Sequence, residues 1–278
     1  QKNLNAATSM LNKSIERMTT GYKINHAADN AAGYSIATTW KTQLGSLDVA
    51  SDNASTGADM LTTLEDTYSL ITSHLQRVRD LTEQAANGTY GSDSLKAIAS
   101  EITARLEEID RISANCEFNG LKMMDGSLTD DINLQVGLYS DAASRIALDA
   151  SLFQNGHVSA LFKTFGGVGG ATVAEVAKLC SGYDGKQITG GQNEMLNKID
   201  AVISEISART TTLGAAQNRI ESAVESINVQ SENITSSLST LRDADVAEES
   251  SNYIKAQILQ QASATLLATA NQTPSIAL

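Results

Sequence analysis

The side chains best able to do chemistry in this chain are three histidines, two cysteines, a few clustered aspartates and a run of glycines. A metal site needs His, Cys or carboxylate ligands at short recurring spacings, and a proton relay needs a base within reach of a nucleophile. His26, His74 and His157 are too dispersed for either and read as solvated or capping histidines. Cys116 and Cys180 have no metal-ligand spacing. One pair is a poor disulfide framework, so they read as two free, partly buried thiols, although the sequence leaves a disulfide between them open. Asp125 with Asp130 and Asp131 does not have the spacing of an EF-hand and reads as a turn with solvated carboxylates. The stretch Gly166 to Gly170 fits neither phosphate-binding glycine pattern and reads as a loop. No G-x-S-x-G nucleophile elbow occurs. No catalytic residue, cofactor or metal is expected, and the chain does not read as an enzyme.

The elements that would have to position such groups are the stronger signal. Ile199, Ile206, Leu213, Ile220, Ile227, Ile234 and Leu241 recur at intervals of seven, with Val202, Val224 and Leu238 partly filling a second seam. This predicts one long helix with an apolar stripe that another helix must cover. A matching stripe lies far away in sequence: Leu47, Ala50, Ala54, Leu61, Leu64, Tyr68, Ile71, Leu75, Val78, Leu81 and Ala85. The two ends of the chain are thus expected to pair, with Leu61, Leu64, Ile71 and Leu75 forming one seam with Ile206, Leu213, Ile220, Ile227 and Ile234. Each fully buried Ile or Leu contributes roughly 1.5–3 kcal/mol, against about 0–1 kcal/mol for a surface ion pair. Hydrophobic seams, not charges, should decide this fold.

Shorter signals fill in the order. Leu4, Ala7, Leu11, Ile15 and Met18 predict a short helix ending near Gly21. The long N-terminal helix is expected from about Ile36 or Leu44 to Ala86. Asn87-Gly88 through Gly91-Ser92 reads as a turn. A third helix carries Leu95, Ile98, Ile102, Leu106, Ile109 and Ile112, with Ser92 or Asp93 as its expected N-cap. Twelve of the 19 glycines lie between Gly120 and Gly191, so the middle differs from the arms. There, Ile132 to Val136 and Ile146 to Asp149 alternate as short strands, and Val173 to Leu179 reads as a short helix. The heptad helix should break near Arg242 to Asp245, before a last helix carrying Val246, Ile254, Ile258, Ala262 and Leu266. The fold class is mainly α with a small β region: a long antiparallel helical bundle or coiled-coil rod made by the two arms, with β-hairpins in the middle.

Composition excludes other classes. The net charge is −12, with scattered basic residues, which argues against nucleic acid. No stretch of 18 apolar residues offers a membrane span, and no basic-then-apolar segment opens the chain. Aromatic content is 4%, which suits cores of Ile, Leu, Val and Ala packed helix on helix.

Several motifs together resemble the bacterial flagellins. They are Ile15 to Asn25 with Ala28 to Gly33, Leu75 to Leu81, Glu101 to Leu106 with Glu108 to Arg111, Phe118-Asn119-Gly120, Leu213 to Arg219, and Ala256 to Ala262. The likeness covers about 1–137 and 191–278 and leaves 138–190 without a pattern. It begins inside the family's first helix, and its last few residues also read as missing.

The resemblance implies a secreted, extracellular subunit that joins identical subunits head-to-tail into the filament of the bacterial flagellum, for swimming. It implies an inner filament-core domain from 1–31 and 243–278, typically unfolded until assembly. It implies a helical rod from 32–137 and 191–242, the former including the hairpin region, and a variable outward-facing middle at 138–190. Gln76, Arg77, Leu81 and Glu101 correspond to a subunit-contact surface that in many flagellins an animal Toll-like receptor also reads. An export chaperone and a filament cap are further partners the family implies. Two alternatives stand beside it: a hook–filament junction protein, and a cell-surface protein whose middle, with its Phe, Tyr and acidic residues, binds a ligand such as a polysaccharide.

Overall fold

The computed structural model of the chain describes residues 1–163, 171–186 and 191–276, with side chains to 270. The glycine run expected as a loop lies outside the described residues. In chain order the elements are α1 (Lys2–Thr20), α2 (Ala31–Ala86), α3 (Ser92–Asn115), β1 (Glu117–Phe118), β2 (Leu121–Lys122), β3 (Ile132–Gln135), β4 (Arg145–Leu148), α4 (Val158–Leu161), α5 (Val173–Ser181), α6 (Gln192–Arg242) and α7 (Val246–Ile276). The described residues are mainly helical, with two small antiparallel strand pairs among them. It divides into two compact units, 1–48 with 228–278, and 49–227.

In the second unit, α2 and α6 pair. Arg79 binds Asp200 (Nε to Oδ1 2.5 Å) and Gln217 Nε2 donates to Glu65 at 2.9 Å. The pairing position falls along α6 as it rises along α2, so the two helices run antiparallel. Leu61, Leu64, Ile71 and Leu75 are fully buried, as are Ile206, Leu213 and Ile220, and Ile227 is buried. The period-seven stripe is thus the core of this unit, as the spacing predicts. In the other unit the same stripe continues only half-buried, at Ile234, Leu238 and Leu241.

Local chemistry explains where elements start and turn. α2 begins at Ala31, ahead of the expected Ile36, because the Asn30 carboxamide oxygen accepts the Gly33 N–H at 2.9 Å, an N-cap not read from the sequence. The expected caps of α3 fail: Gly91 stands at the cap with no side-chain hydrogen bond, and Ser92 and Asp93 are already in the first turn. There Asp93 opposes the positive end of the helix dipole. α5 has a full capping box, Thr172 and Glu175 each bonding the other's backbone.

β1 and β2 join through Asn119 (φ 48°) and Gly120 (φ 81°), the two left-handed residues that a tight two-residue hairpin turn requires. β3 and β4 pair from Ile132↔Leu148 to Gln135↔Arg145. This hairpin lies on α2, where Asn53 Nδ2 donates to the Gln135 carbonyl at 3.1 Å. Leu134 presses against Gly57, where a Cβ would collide with its methyl groups. Glycine at 57 is therefore a docking surface for the hairpin.

Candidate assembly surfaces

The groups singled out for chemistry are placed in structural roles. His26 Nε2 sits 2.8 Å from Glu16, and His157 Nδ1 3.4 Å from Asp110. His74 is half-buried with an unpartnered Nδ1, and burial pushes its pKa down. Asp125 accepts the Ser127 N–H and Asp131 that of Ala150, so both carboxylates organise turns. Among the described residues, no group of three or more His, Cys, Asp or Glu is placed to hold a metal ion.

Cys116 and Cys180 are both free and buried, which settles the pairing left open by the sequence. Burial pushes the Cys180 thiol up to about 12, opposed by its hydrogen bond with Thr82. Phe153 and Phe162 are core residues and cannot serve as a displayed ligand-binding face. The Tyr68 hydroxyl, buried in the α2 stripe, donates to the Leu152 carbonyl at 3.1 Å and fastens the middle segment to the helices. The periodicity marked Tyr68 as apolar filling and gave no sign of this bond.

The residues expected on a contact surface, Gln76, Arg77, Leu81 and Glu101, lie on α2 and α3. Gln76 and Arg77 are exposed, and Arg77 Nε donates to Glu101 Oε1 at 2.9 Å. Arg105 lies 3.9 Å from the same carboxylate. Leu81 is buried, at 2% exposure, because it belongs to the α2 stripe and turns inward with Val78 and Ala85.

The larger surface belongs to the unit of 1–48 and 228–278, where α1 packs on α7. Packing uses small and polar side chains: Ala7 and Ser14 from α1, Glu249 and Ala256 from α7, are buried. Arg17 reaches Glu249 at 2.8 Å, and Gln260 Nε2 donates to Thr8 Oγ1 at 3.2 Å. The apolar stripe of α7 is elsewhere. Ile254, Ile258 and Leu266 are 54%, 60% and 70% exposed, and Val246, Leu259 and Ala262 face water too. On α1 the stripe starts half-buried at Leu4 and ends exposed at Ile15 and Met18, with Met10 exposed beside them. Two helices thus pair through one set of faces and leave an apolar set uncovered, the mark of a surface meant for another molecule. No helix of the described residues is long and apolar enough to cross a membrane.

A mainly helical chain with paired ends and uncovered terminal stripes defines a subunit of a larger assembly. Comparison with known proteins gives the family. Residues 1–129 match the bacterial flagellin N-terminal helical region and residues 196–277 the bacterial flagellin C-terminal helical region. The chain is 33% identical to the flagellin of Bacillus subtilis strain 168, over 98% of this chain and 92% of that protein. It is 30% identical to the flagellar filament 33 kDa core protein of Treponema phagedenis, again over 98% and 92%. A putative flagellar hook-associated protein from Vibrio parahaemolyticus shares the fold, with a TM-score of 0.63 over 77% of this chain and all of that one, at 13% identity. The chain belongs to the bacterial flagellin family and is a structural subunit of a flagellar filament.

Proposed function

We propose that copies of this chain join head-to-tail into an extracellular filament that drives swimming, and that α1 and α7 carry the main subunit contact. The supporting observation is the stripe of Ile254, Ile258 and Leu266 left in water while α1 and α7 pair through other faces. Covering it removes apolar area from water at about 25 cal/mol per Å2. Because the covering surface belongs to a different part of the neighbouring copy, the contact repeats without closing and grows a helical polymer.

In this reading 1–31 and 243–278 form the inner core of the filament, 32–137 and 191–242 the helical layer around it, and 138–190 the outward-facing part. Gln76, Arg77 and Glu101 make a second subunit contact, with Leu81 supporting it from beneath. The same surface is open to an animal Toll-like receptor, and the terminal helices to an export chaperone and the filament cap before assembly. The role is structural, not catalytic. A hook–filament junction role is the weaker alternative, because the fold is shared with such a protein while the roughly 30% sequence relatives are filament proteins.

Seeded growth followed by light scattering tests the reading. The unchanged chain elongates filament fragments, whereas Ile254→Ser with Ile258→Ser retains the monomer's melting profile and loses elongation. Elongation at the parental rate by the double variant would refute the assignment.

A further inference from the structure

The middle of the chain does not stand clear of the helices. Two of its stretches, 150–162 and 171–181, are built into the unit of 49–227. In the first, Leu152, Phe153, Val158, Leu161 and Phe162 are buried. Polar contacts tie it to three helices. Tyr68 of α2 donates to the Leu152 carbonyl at 3.1 Å, and Asp110 of α3 accepts the Val158 N–H at 2.7 Å, at the start of α4. Arg209 of α6, its side chain only 9% exposed, reaches the Asn155 carbonyl at 3.5 Å. In the second stretch, Val176, Ala177 and Cys180 recur at helical spacing and form the buried face of α5, which packs on α3. Cys180 extends that face to α2, where it meets the buried Thr82. At about 1.5 Å per residue, Tyr68 and Thr82 stand about 20 Å apart along α2.

The sequence of α3 shows what these stretches occupy. At about 100° per residue, the buried stripe of Leu95, Ile98, Ile102, Leu106 and Ile109 divides the rest of the helix into two flanks. Glu101, Arg105 and Glu108 fall on one, where Glu101 meets Arg77 and Arg105. Ala99, Thr103 and Asp110 fall on the other. Both stretches of the middle lie on this second flank. Asp110 holds Val158, and Ala99 and Thr103 line a groove of about 420 Å3 with Ala174 and Lys178 of α5. A segment merely displayed above the helices would bury neither two phenylalanines nor an arginine against them.

We propose that the two stretches are a strap, the chain's own partner for the second flank of α3, which closes that flank to other molecules and leaves the flank of Glu101, Arg105 and Glu108 open to them. The strap also holds α3 in place, because Val176, Ala177 and Cys180 supply apolar cover that another molecule would otherwise have to bring. A middle region built in this way is part of the wall and is not freely exchangeable for another sequence. The strap goes beyond the assembly reading, and its test needs no filament.

Thiol labelling of added cysteines in the full, unpolymerised chain, located by peptide mass spectrometry, tests the strap. Thr103→Cys labels several-fold more slowly than Arg105→Cys, although the two positions lie on one helix. Val176→Asp places a charge in the apolar face of α5 and undocks it. In that background Thr103→Cys labels as fast as Arg105→Cys, Cys180 becomes reactive, and amide exchange over 92–115 quickens. Ala174→Asp, on the exposed face of α5, produces none of these changes. Equal labelling at 103 and 105 with Val176 in place overturns the closed flank. Reactive Cys180 with unchanged exchange in α3 makes α5 a passenger and overturns the strap, as does a Val176→Asp chain that behaves like the parent. If Val176→Asp does not fold, Val176→Ala gives the same three changes at smaller amplitude, and their absence overturns the strap equally.

Discussion

Ile220 and Ile258 are the same residue type in two helices of one chain, and the structure gives them opposite tasks. Ile220 is 1% exposed in the α6 seam and Ile258 is 60% exposed on α7. Ile220→Asp places an unpaired charge in an apolar seam, costs several kcal/mol and abolishes cooperative melting by circular dichroism. Ile258→Asp leaves the monomer's melt within about 0.5 kcal/mol of the parent, as surface substitutions do. Sequence reading recovered both stripes, because periodicity reports which residues are apolar together. It did not report the Arg17–Glu249 pair or the Tyr68 bond to the Leu152 carbonyl, since a single charged or hydroxyl side chain carries no period. Cys180 gives a prediction in pH. Its thiol stays protonated in the fold up to about 12, against an ordinary 9.0, so the unfolded chain releases this proton first. The stability from keeping it neutral is present below pH 9 and is lost as pH rises from 9 toward 12. Urea midpoints of the parent fall across that window more steeply than those of Cys180→Ala, and native Cys180 resists thiol reagents at pH 8.

At the level of elements, the β3–β4 hairpin depends on one missing side chain in α2. Gly57→Ala brings a Cβ into the Leu134 methyl groups, which must swing aside, and this displacement opposes the roughly 1 kcal/mol that alanine gains over glycine inside a helix. Leu134→Ala in the same chain relieves the collision, so a double-mutant cycle read by urea denaturation gives coupling well away from zero; additive effects would mean the hairpin does not rest there. The strands were legible because Ile132 to Val136 and Ile146 to Asp149 alternate between turn residues, and they pair within one residue of those limits. The caps of α2 and α3 were not legible: Asn30 captures a backbone N–H early, while Ser92 and Asp93 are absorbed into the first turn. α7 shows the limit of pattern reading most clearly. The stripe through Ile254, Ile258 and Leu266 was visible, but which face α1 would take was not, because that face is built from Glu249, Ala256 and Gln260.

Across the whole molecule the charge is unevenly shared. Residues 1–48 and 228–278 hold 8 acids and 7 bases, and 49–227 hold 24 acids and 13 bases, so nearly all of the −12 falls in the second unit. The unit with the uncovered stripes is close to neutral, which suits close packing of many copies. The acidic unit makes neighbouring copies repel. Raising ionic strength from 0.01 to 0.15 M shortens the screening length from about 30 to about 8 Å and should therefore speed seeded elongation. A rate independent of salt would place the acidic units beyond each other's reach. The pairing of distant ends was legible from two matching stripes; the division of labour between a covered and an uncovered stripe was not, because it depends on molecules absent from the sequence. A cryo-electron microscopy structure of the assembled filament measures this directly. Ile15, Ile254, Ile258 and Leu266 should each be covered by side chains of neighbouring copies; a filament in which they still face water would contradict the account.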